Sequence, residues 1–476
     1  MARASVVIVG AGLSGLSAAW ELSGGEAGPN ETTPRIEVIE ASTRVGGSLA
    51  TTQFAGRTVD LCADGFLARR PEGVNLVREL GWSDRLEAID ASGASIYLRG
   101  ALDELPDGLA LGIPTSSGQL RNVTGLSWRA RFHARRDEIM PVRMTIGDDA
   151  TIGEIVRTKL GRELAYQFVE PMVGGIQAGR IDELSAKSVF PTLLEAARQG
   201  GSLMNALRPT GTVTPGANGP MFYSLLTGVG SLPAEIARQV KERGVVIRTD
   251  VPVTALRRTL SASYPWEVDT ESTTTPADSV ILATAAPVVG RLLGAIDPTL
   301  DALSTVRSAS AAMITFSVPR DGVTLPATGT GVLVPLATSW TEGSMMVTAV
   351  TFLDRKWPHL RNGDSVLLRA HVGRSDDTRW SELTDDELVV RVTRELASVL
   401  GHFDGPSEFL VQRWPDGLPQ YYVGHDVLVA NAKLAAGAHR VALCGNAYDG
   451  VGIPATIGSG RRAAREALEM IQLSRR

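Results

Sequence analysis

The chain has 476 residues, of which 43% are hydrophobic and 21% charged, with a formal net charge of −5. One core stops growing near about 250–300 residues, so more than one lobe is expected. The mixture excludes a disordered chain, the acidic balance argues against a nucleic-acid binder, and two cysteines and six histidines in no zinc spacing exclude a disulfide framework or zinc module.

Val6–Val9 is a short β-branched run, the pattern of a parallel strand covered on both faces. Gly10–Gly15 reads as a turn and Leu13–Leu22 as a helix. A polar loop over 24–34 then leads to a second strand, Arg35–Ile39, ending at Glu40, which makes a βαβ start. Glu72–Leu80 reads as a helix stopped by Gly81. Residues 90–191 read as mostly helical, and Thr151 stands three residues before Glu154, the spacing of a capping box for a helix over Thr151–Lys159. Residues 200–220, rich in Gly, Pro, Thr and Asn, read as a lobe boundary. Pro233 opens a helix over Ala234–Arg243 that Gly244 stops. Strands are expected at Val245–Arg248, Val253–Arg257, Trp266–Asp269 and Ser279–Ala283. From about 305 to 430, strand-like runs alternate with turns around one helix, Asp385–Leu400. The end returns to a strand, Val441–Cys444, a Gly-rich turn and a helix over Gly460–Gln472, with Arg475-Arg476 as a frayed tail. There is no internal repeat. The start has no basic region followed by an apolar run and cleavage site, and the apolar stretch Ser5–Trp20 is broken by Gly10, Gly12 and Gly15, whereas a membrane span needs about 20 apolar residues. No signal peptide or span is expected, and with so few cysteines a cytoplasmic location fits.

Gly10-Ala-Gly12-Leu13-Ser14-Gly15 matches G-x-G-x-x-G after a strand and at the opening of a helix. The first glycine allows the turn, the second lets the backbone approach a pyrophosphate, and the third lets the helix lie close to the strand. The helix N-terminus offers free N–H groups to phosphates. Glu40, at the end of the second strand, is placed to accept the ribose hydroxyls. The stretch Glu40-Ala41-Ser-Thr-Arg44-Val-Gly46-Gly47-Ser48 resembles the E-x3-R-x-G-G segment of FAD-binding, amine-oxidase-like proteins. That resemblance implies FAD rather than NAD, with Arg44 and the paired glycines wrapping its diphosphate.

The C-terminal stretch Cys444-Gly445-Asn446-Ala-Tyr448-Asp-Gly450-Val-Gly452-Ile453-Pro454-Ala-Thr-Ile457-Gly-Ser-Gly460 is similar to the G-N-x-Y-x-G-V-G-I-P-x-x-I-x-S-G segment of the protoporphyrinogen and coproporphyrinogen oxidases. Three further segments resemble that family: Trp414 to His425, Val173 to Pro191, and Asp60 to Pro71. Together the landmarks run from residue 10 to 460. The chain departs from the family at Cys62 and Ala63, where Gly-Pro is common, at Gly65 for Ser and at Arg70 for Lys.

The resemblance implies an α/β fold: a Rossmann-like FAD-binding domain with a mixed sheet plus helices (1–88, 201–258 and 431–476), a mostly helical lobe (89–200) and an α+β substrate-binding domain (259–430). It implies an oxygen-dependent oxidase that turns a porphyrinogen into a porphyrin in haem biosynthesis, closest to the Gram-positive coproporphyrinogen III oxidase type. Six hydrogens leave in three two-electron cycles, and dioxygen becomes hydrogen peroxide. No metal is called for and no side-chain base is obligatory, since pyrrole protons can go to solvent. Gly10, Gly12, Leu13, Ser14, Gly15, Glu40, Ala41, Arg44, Gly46, Gly47, Ser48, Val253, Gly445, Asn446, Gly452, Ile453, Pro454 and Ile457 are the expected FAD contacts. Arg70 is the expected partner of a propionate, with Gly174, Gly175 and Phe352, beside Leu353, at the pocket wall. His425 reads as a hydrogen-bonded turn histidine, and Cys62 and Cys444 as packing. Trp128–Arg136 carries Trp128, Phe132 and five cations if His133 is protonated; it reads either as a solvated helix or as a contact with an anionic membrane surface. The resemblance also implies a hand-over of the porphyrin to the next enzyme of the haem pathway. Three alternatives stay open: protoporphyrinogen IX as main substrate, an amine oxidase or desaturase of the same superfamily, and a carrier on the same fold that has lost its flavin.

Overall fold

A computed structural model describes residues 3–91, 93–209, 219–259, 265–336, 338–341 and 343–474. The expected tail at Arg475-Arg476 and residues 210–218 of the expected lobe boundary at 200–220 lie outside the described residues.

The first domain is built on a parallel five-stranded sheet in the order Val246–Arg248, Arg35–Ile39, Ser5–Val9, Ser279–Leu282, Val441–Leu443. Its central strand feeds two cores. Val6 and Ile8 pack with the helices Leu13–Leu22, Leu232–Glu242 and Ile453–Ser474, while Val7 and Val9 pack with Trp266, Val289 and Val429 on the other face. Strands with both faces covered lack polar alternation, as the run Val6–Val9 does. A three-stranded antiparallel sheet, Val253–Arg258, Trp266–Thr270 and Thr274–Ala277, lies on that second face. The expected mixed sheet is thus two sheets, one parallel and one antiparallel. Ser279–Leu282 pairs with both Ser5–Val9 and Val441–Leu443, so the nucleotide-binding unit takes in residues that the division at 259 assigns elsewhere.

The second domain is a seven-stranded sheet in the order Glu408–Pro419, Ser308–Pro319, Ser365–Val372, Val347–Phe352, Gly331–Leu333, Ser95–Leu98, Ala101–Glu104. Asp385–Leu400 covers one face and starts with a capping box between Thr384 and Glu387. The hairpin Ser95–Glu104 belongs to this sheet, a correction to the mostly helical reading at the start of that stretch. The helical lobe packs Trp128–Ile139, Ile152–Leu160, Glu170–Gln177 and Pro191–Arg198 around Phe168, Leu164 and Ile155. Thr151 accepts from the Glu154 N–H at 3.1 Å.

Two helices depart from expectation. His425–Ala438 is absent from the sequence reading; Gly424, in the left-handed region at φ 94°, marks its start and looks like a break. The last helix begins at Ile453 instead of Gly460, because its glycines serve close packing. A Cβ on Gly460 would stand 2.9 Å from the Ser14 carbonyl carbon and 3.0 Å from Ser17 Cβ.

Candidate functional site

The first Gly-rich turn is held from three sides. Gly10 (φ 101°) donates to Ile39 O at 2.8 Å, and a Cβ there would meet Ala283 O at 2.6 Å. Gly15 packs on Gly10, and Gly46 donates to Ala11 O at 2.8 Å, which lays the Gly46-Gly47 loop along Gly12. These glycines are closed because the chain packs against itself there. Others are open. Gly12 and Gly452 have nothing within 4 Å of a Cβ position, and the nearest atom to that of Gly445 is Ser14 Oγ at 3.7 Å. Backbone with free space beside it, on two turns brought together at Ser14, is the cradle that a dinucleotide requires.

Glu40 closes the adjacent corner. Its Oε2 accepts from the Ala11 N–H at 2.7 Å, and its Oε1 from the Ser42 N–H at 2.8 Å and hydroxyl at 2.7 Å. A carboxylate has about four acceptor sites, so capacity remains for a ribose hydroxyl. Ala41, Arg44, Gly47 and Ser48 are exposed along the same rim. Arg44 donates to Gly47 O at 2.7 Å and so braces the loop itself. Val253 begins its strand close by: Val251 donates to Glu40 O at 2.9 Å.

At the other end, Gly445 donates to Ser459 Oγ at 3.0 Å, and Ser459 in turn donates to Asp449, which Lys433 and Arg462 hold at 2.6 and 2.8 Å. The Asn446 carbonyl accepts from the Tyr421 hydroxyl, and its amide approaches Gly417 O at 3.5 Å, so the turn is tied to the second domain. Pro454 is buried in the first turn of the last helix. The side chains of Leu13, Ile453 and Ile457 are sealed in the core below, leaving only their backbone for any ligand. His425 Nε2 bonds Ala447 O at 2.8 Å and its ring stacks on Tyr421 at 4.4 Å; burial pushes its pKa down. Cys444 is buried, with its thiol pushed up to about 12 by burial.

Strand alternation sorts the second sheet. Phe316, Val350, Phe352, Leu368 and Ala370 lie on the face toward Asp385–Leu400. Phe352 is fully buried there, so it is no pocket wall, and Leu353 is sealed in a smaller core with Trp357. The opposite face carries Met313, Thr315, Thr351, Arg369, His371, Gln412 and Trp414. In register, Gln412–Met313–His371–Ala349 make one row across four strands and Leu410–Thr315–Arg369–Thr351 the next.

That face looks onto the loop Asp60–Asp64, which follows the antiparallel hairpin of Thr51–Phe54 and Arg57–Asp60. Arg369 donates to the carbonyls of Asp60 and Cys62 (3.0 Å to the latter), Trp414 Nε1 to Leu61 O at 3.1 Å, and Lys356 pairs with Asp64 at 2.8 Å. Burial raises Asp60 to about 7, against hydrogen bonds from Gly230 and Val229. Burial would also raise Asp64, but Lys356 and Arg369 outweigh it and hold it at about 2. His371 is pushed down to about 4 by burial and by Arg369. Sequence reasoning missed Arg369 and His371; the available signal was two polar residues, two apart, in the apolar strand Ser365–Val372.

Arg70 is half-exposed and pairs with Glu72 at 3.0 Å, and Glu72 in turn lies beside Gly458 of the last helix. Gly174 and Gly175 lie in Glu170–Gln177, with open space at Gly175. The turn after them docks on the sheet through Ser375 N–H to Ala178 O (2.8 Å) and Gln420 to Gln177 O (2.7 Å). On Trp128–Ile139, Trp128 and Phe132 are 71% and 57% exposed. Burial and Arg136 push the pKa of His133 down, which removes it from the expected count of cations at neutral pH.

Residues 13–468 match the family model described as flavin containing amine oxidoreductase. A coproporphyrinogen III oxidase of Mycobacterium leprae (strain TN) is 34% identical, covering 98% of this chain and 99% of its own length. A coproporphyrinogen III oxidase of Bacillus subtilis (strain 168) is 32% identical, with 97% of each chain covered. The fold is similar to a crystal structure from Exiguobacterium sp. 255-15, described as a candidate protoporphyrinogen oxidase, with a TM-score of 0.85 at 30% identity, covering 98% of this chain and 100% of that one.

Proposed function

The chain belongs to the flavin-containing amine oxidoreductase family, and on that premise we propose that it is a FAD-dependent oxidase that converts a porphyrinogen to a porphyrin in haem biosynthesis, with coproporphyrinogen III as its main substrate. The observation that carries this reading is the meeting at Ser14 of two Gly-rich turns from opposite ends of the chain, with open backbone at Gly12, Gly445 and Gly452. A carrier that had lost its flavin has no need of that open cradle or of Glu40 at its corner. The residues that distinguish this chain from an amine oxidase, Cys444-Gly445-Asn446 and the run Gly450–Pro454, form the second of those turns.

In this reading Gly10, Gly12, Ser14 and Gly15 would hold the diphosphate of FAD against the helix Leu13–Leu22, where unpaired N–H groups favour anions. Glu40 would take the ribose hydroxyls, with Ala41 and Val253 near the adenosine end, and Arg44, Gly46, Gly47 and Ser48 would flank the phosphates. Gly445, Asn446, Gly452, Ile453, Pro454 and Ile457 would present backbone to the ring system. When bound, FAD would supply the acceptor for the two electrons of a hydride from a methylene bridge, with dioxygen as the final acceptor. The protein's own share is to hold the macrocycle in register and exclude water. Arg70, beside the last helix, would pair with a propionate in place of Glu72, and Gly174-Gly175 would border the ring. Pyrrole protons leave to solvent.

No helix among the described residues is long and apolar enough to cross a membrane. We propose a peripheral contact instead: Trp128 and Phe132, flanked by the exposed Arg129 and Arg135, suit an anionic membrane surface in the cytoplasm. The porphyrin would pass from here to the next enzyme of the haem pathway. The test is kcat/KM for coproporphyrinogen III and protoporphyrinogen IX, followed by porphyrin fluorescence on yellow, FAD-loaded protein. A larger value for coproporphyrinogen III is expected. A larger value for protoporphyrinogen IX overturns the substrate assignment, and no porphyrin from either overturns the function.

A further inference from the structure

Deepening this functional reading, on which it rests, we propose that His371 contacts the substrate: its imidazole accepts a hydrogen bond from a pyrrole N–H, and so favours the reduced macrocycle over the porphyrin.

Four observations place it there. His371 lies in the middle of the row Gln412–Met313–His371–Ala349, on the sheet face that looks onto the loop Asp60–Asp64. Gln412, Met313, Thr351 and Trp414 on that face keep partial exposure, as His371 does, while Thr315 and Arg369 beside them are buried; on the opposite face Phe316, Val350, Phe352, Leu368 and Ala370 are sealed. The same face is bonded through Arg369 and Trp414 to the loop Asp60–Asp64, which follows the hairpin Thr51–Asp60, and Tyr421, two residues past the strand Glu408–Pro419, is bonded to Asn446 in the second Gly-rich turn. Finally, only one of its ring nitrogens is engaged. Nε2 stands 3.3 Å from Thr351 Oγ1, while Nδ1 has no hydrogen-bond partner among the described residues and is not sealed from open space.

The chemistry follows from the charge state. Burial and the neighbouring Arg369 and Lys356 disfavour a proton on the ring more than Asp64 favours one, so the imidazole is neutral at working pH. With Nε2–H donating to Thr351, Nδ1 presents a lone pair. A porphyrinogen carries four pyrrole N–H donors and no nitrogen acceptor. The porphyrin keeps two N–H groups, and its other two nitrogens carry lone pairs that repel such an acceptor. The propionates are the same in both. A contact to the pyrroles therefore separates substrate from product, and a contact to a propionate does not.

The experiment compares His371→Phe, which removes the acceptor, with His371→Asn, whose amide oxygen falls near the position of Nδ1. For each, KM for the porphyrinogen and the dissociation constant of the porphyrin (by fluorescence quenching) are measured on FAD-loaded enzyme, with the flavin spectrum as a check of the site. His371→Phe should raise KM about fivefold, the worth of one neutral hydrogen bond, while porphyrin affinity stays within about twofold and His371→Asn restores KM. An unchanged KM in His371→Phe overturns the proposal. So does a porphyrin dissociation constant that rises in step with KM, which would assign the imidazole to a propionate. If the phenylalanine variant loses its flavin, His371→Leu is read in the same way. Wild-type protein that makes no porphyrin sinks the functional reading itself, whereas active wild type with an indifferent His371→Phe sinks only this inference.

Discussion

The contact between the first and last helices makes a sharp prediction. Gly460 lies in the interior of Ile453–Ser474, where glycine costs about 1 kcal/mol relative to alanine. On propensity alone, Gly460→Ala should stabilise the protein. Its new Cβ, however, would stand 2.9 Å from the Ser14 carbonyl carbon and 3.0 Å from Ser17 Cβ, with the Ser14 oxygen closer still. These are backbone and fully packed atoms that cannot swing aside, so the helices must separate. Overpacking of this kind costs about 1–3 kcal/mol, and a backbone obstacle belongs at the upper end. Offsetting the propensity gain leaves a net loss of about 2 kcal/mol. Gly437→Ala is the control. It sits in His425–Ala438 with nothing within 4 Å of its Cβ, so it should be neutral or stabilise by up to about 1 kcal/mol. Thermal unfolding of the two variants, with FAD content read from visible absorbance, separates the cases: Gly460→Ala should melt lower and lose flavin, because Ser14 and the turn around it move. A Gly460→Ala protein as stable and as yellow as wild type would refute the claim that this glycine is there for close approach.

Glu40→Gln replaces an acceptor of the Ala11 and Ser42 N–H groups by a neutral amide, and should weaken FAD binding about tenfold in ultrafiltration titrations, since hydrogen bonds to a charged group are worth about 1.5–3 kcal/mol; unaltered retention would remove Glu40 from the site. Burial lifts Asp60 from 3.8 to about 7, so the folded state holds its proton more tightly than the unfolded one and this group's contribution to stability falls as pH rises through that window. Asp60→Asn, which cannot ionise, should therefore gain in Tm relative to wild type between pH 5 and 8, and a difference that stays flat with pH would contradict this. Phe352→Leu should lower Tm through lost packing in the core under Asp385–Leu400 but leave KM within about twofold; a large rise in KM would return Phe352 to the pocket.

Local patterns were legible where one residue type answers one geometric need. Val6–Val9 announces a doubly covered strand, and Gly10, Gly12 and Gly15 announce a phosphate turn, because no other residue fits φ 101° at Gly10 or the packing at Gly15. Thr151 and Glu154 mark the start of a helix equally plainly. What was lost depends on partners distant in sequence. Gly460 looks like a breaker until Ser14 is known to lie against it, and Ser95–Glu104 is a strand pair only because Gly331–Leu333 receives it. Phe352 faces the core under Asp385–Leu400 and its neighbour Thr351 the opposite side, because in a strand one residue decides the face. His371 gave a signal, a polar residue in an apolar strand, but its meaning came from the loop that Arg369 and Trp414 hold opposite it.

The most direct test is to supply purified, FAD-loaded protein with coproporphyrinogen III in air and to measure coproporphyrin fluorescence together with hydrogen peroxide. Porphyrin is expected to form in step with about three peroxides per macrocycle, the six electrons leaving in pairs through one flavin. A colourless protein that takes up no FAD, or a yellow one that leaves the porphyrinogen at its spontaneous rate of oxidation, would contradict it.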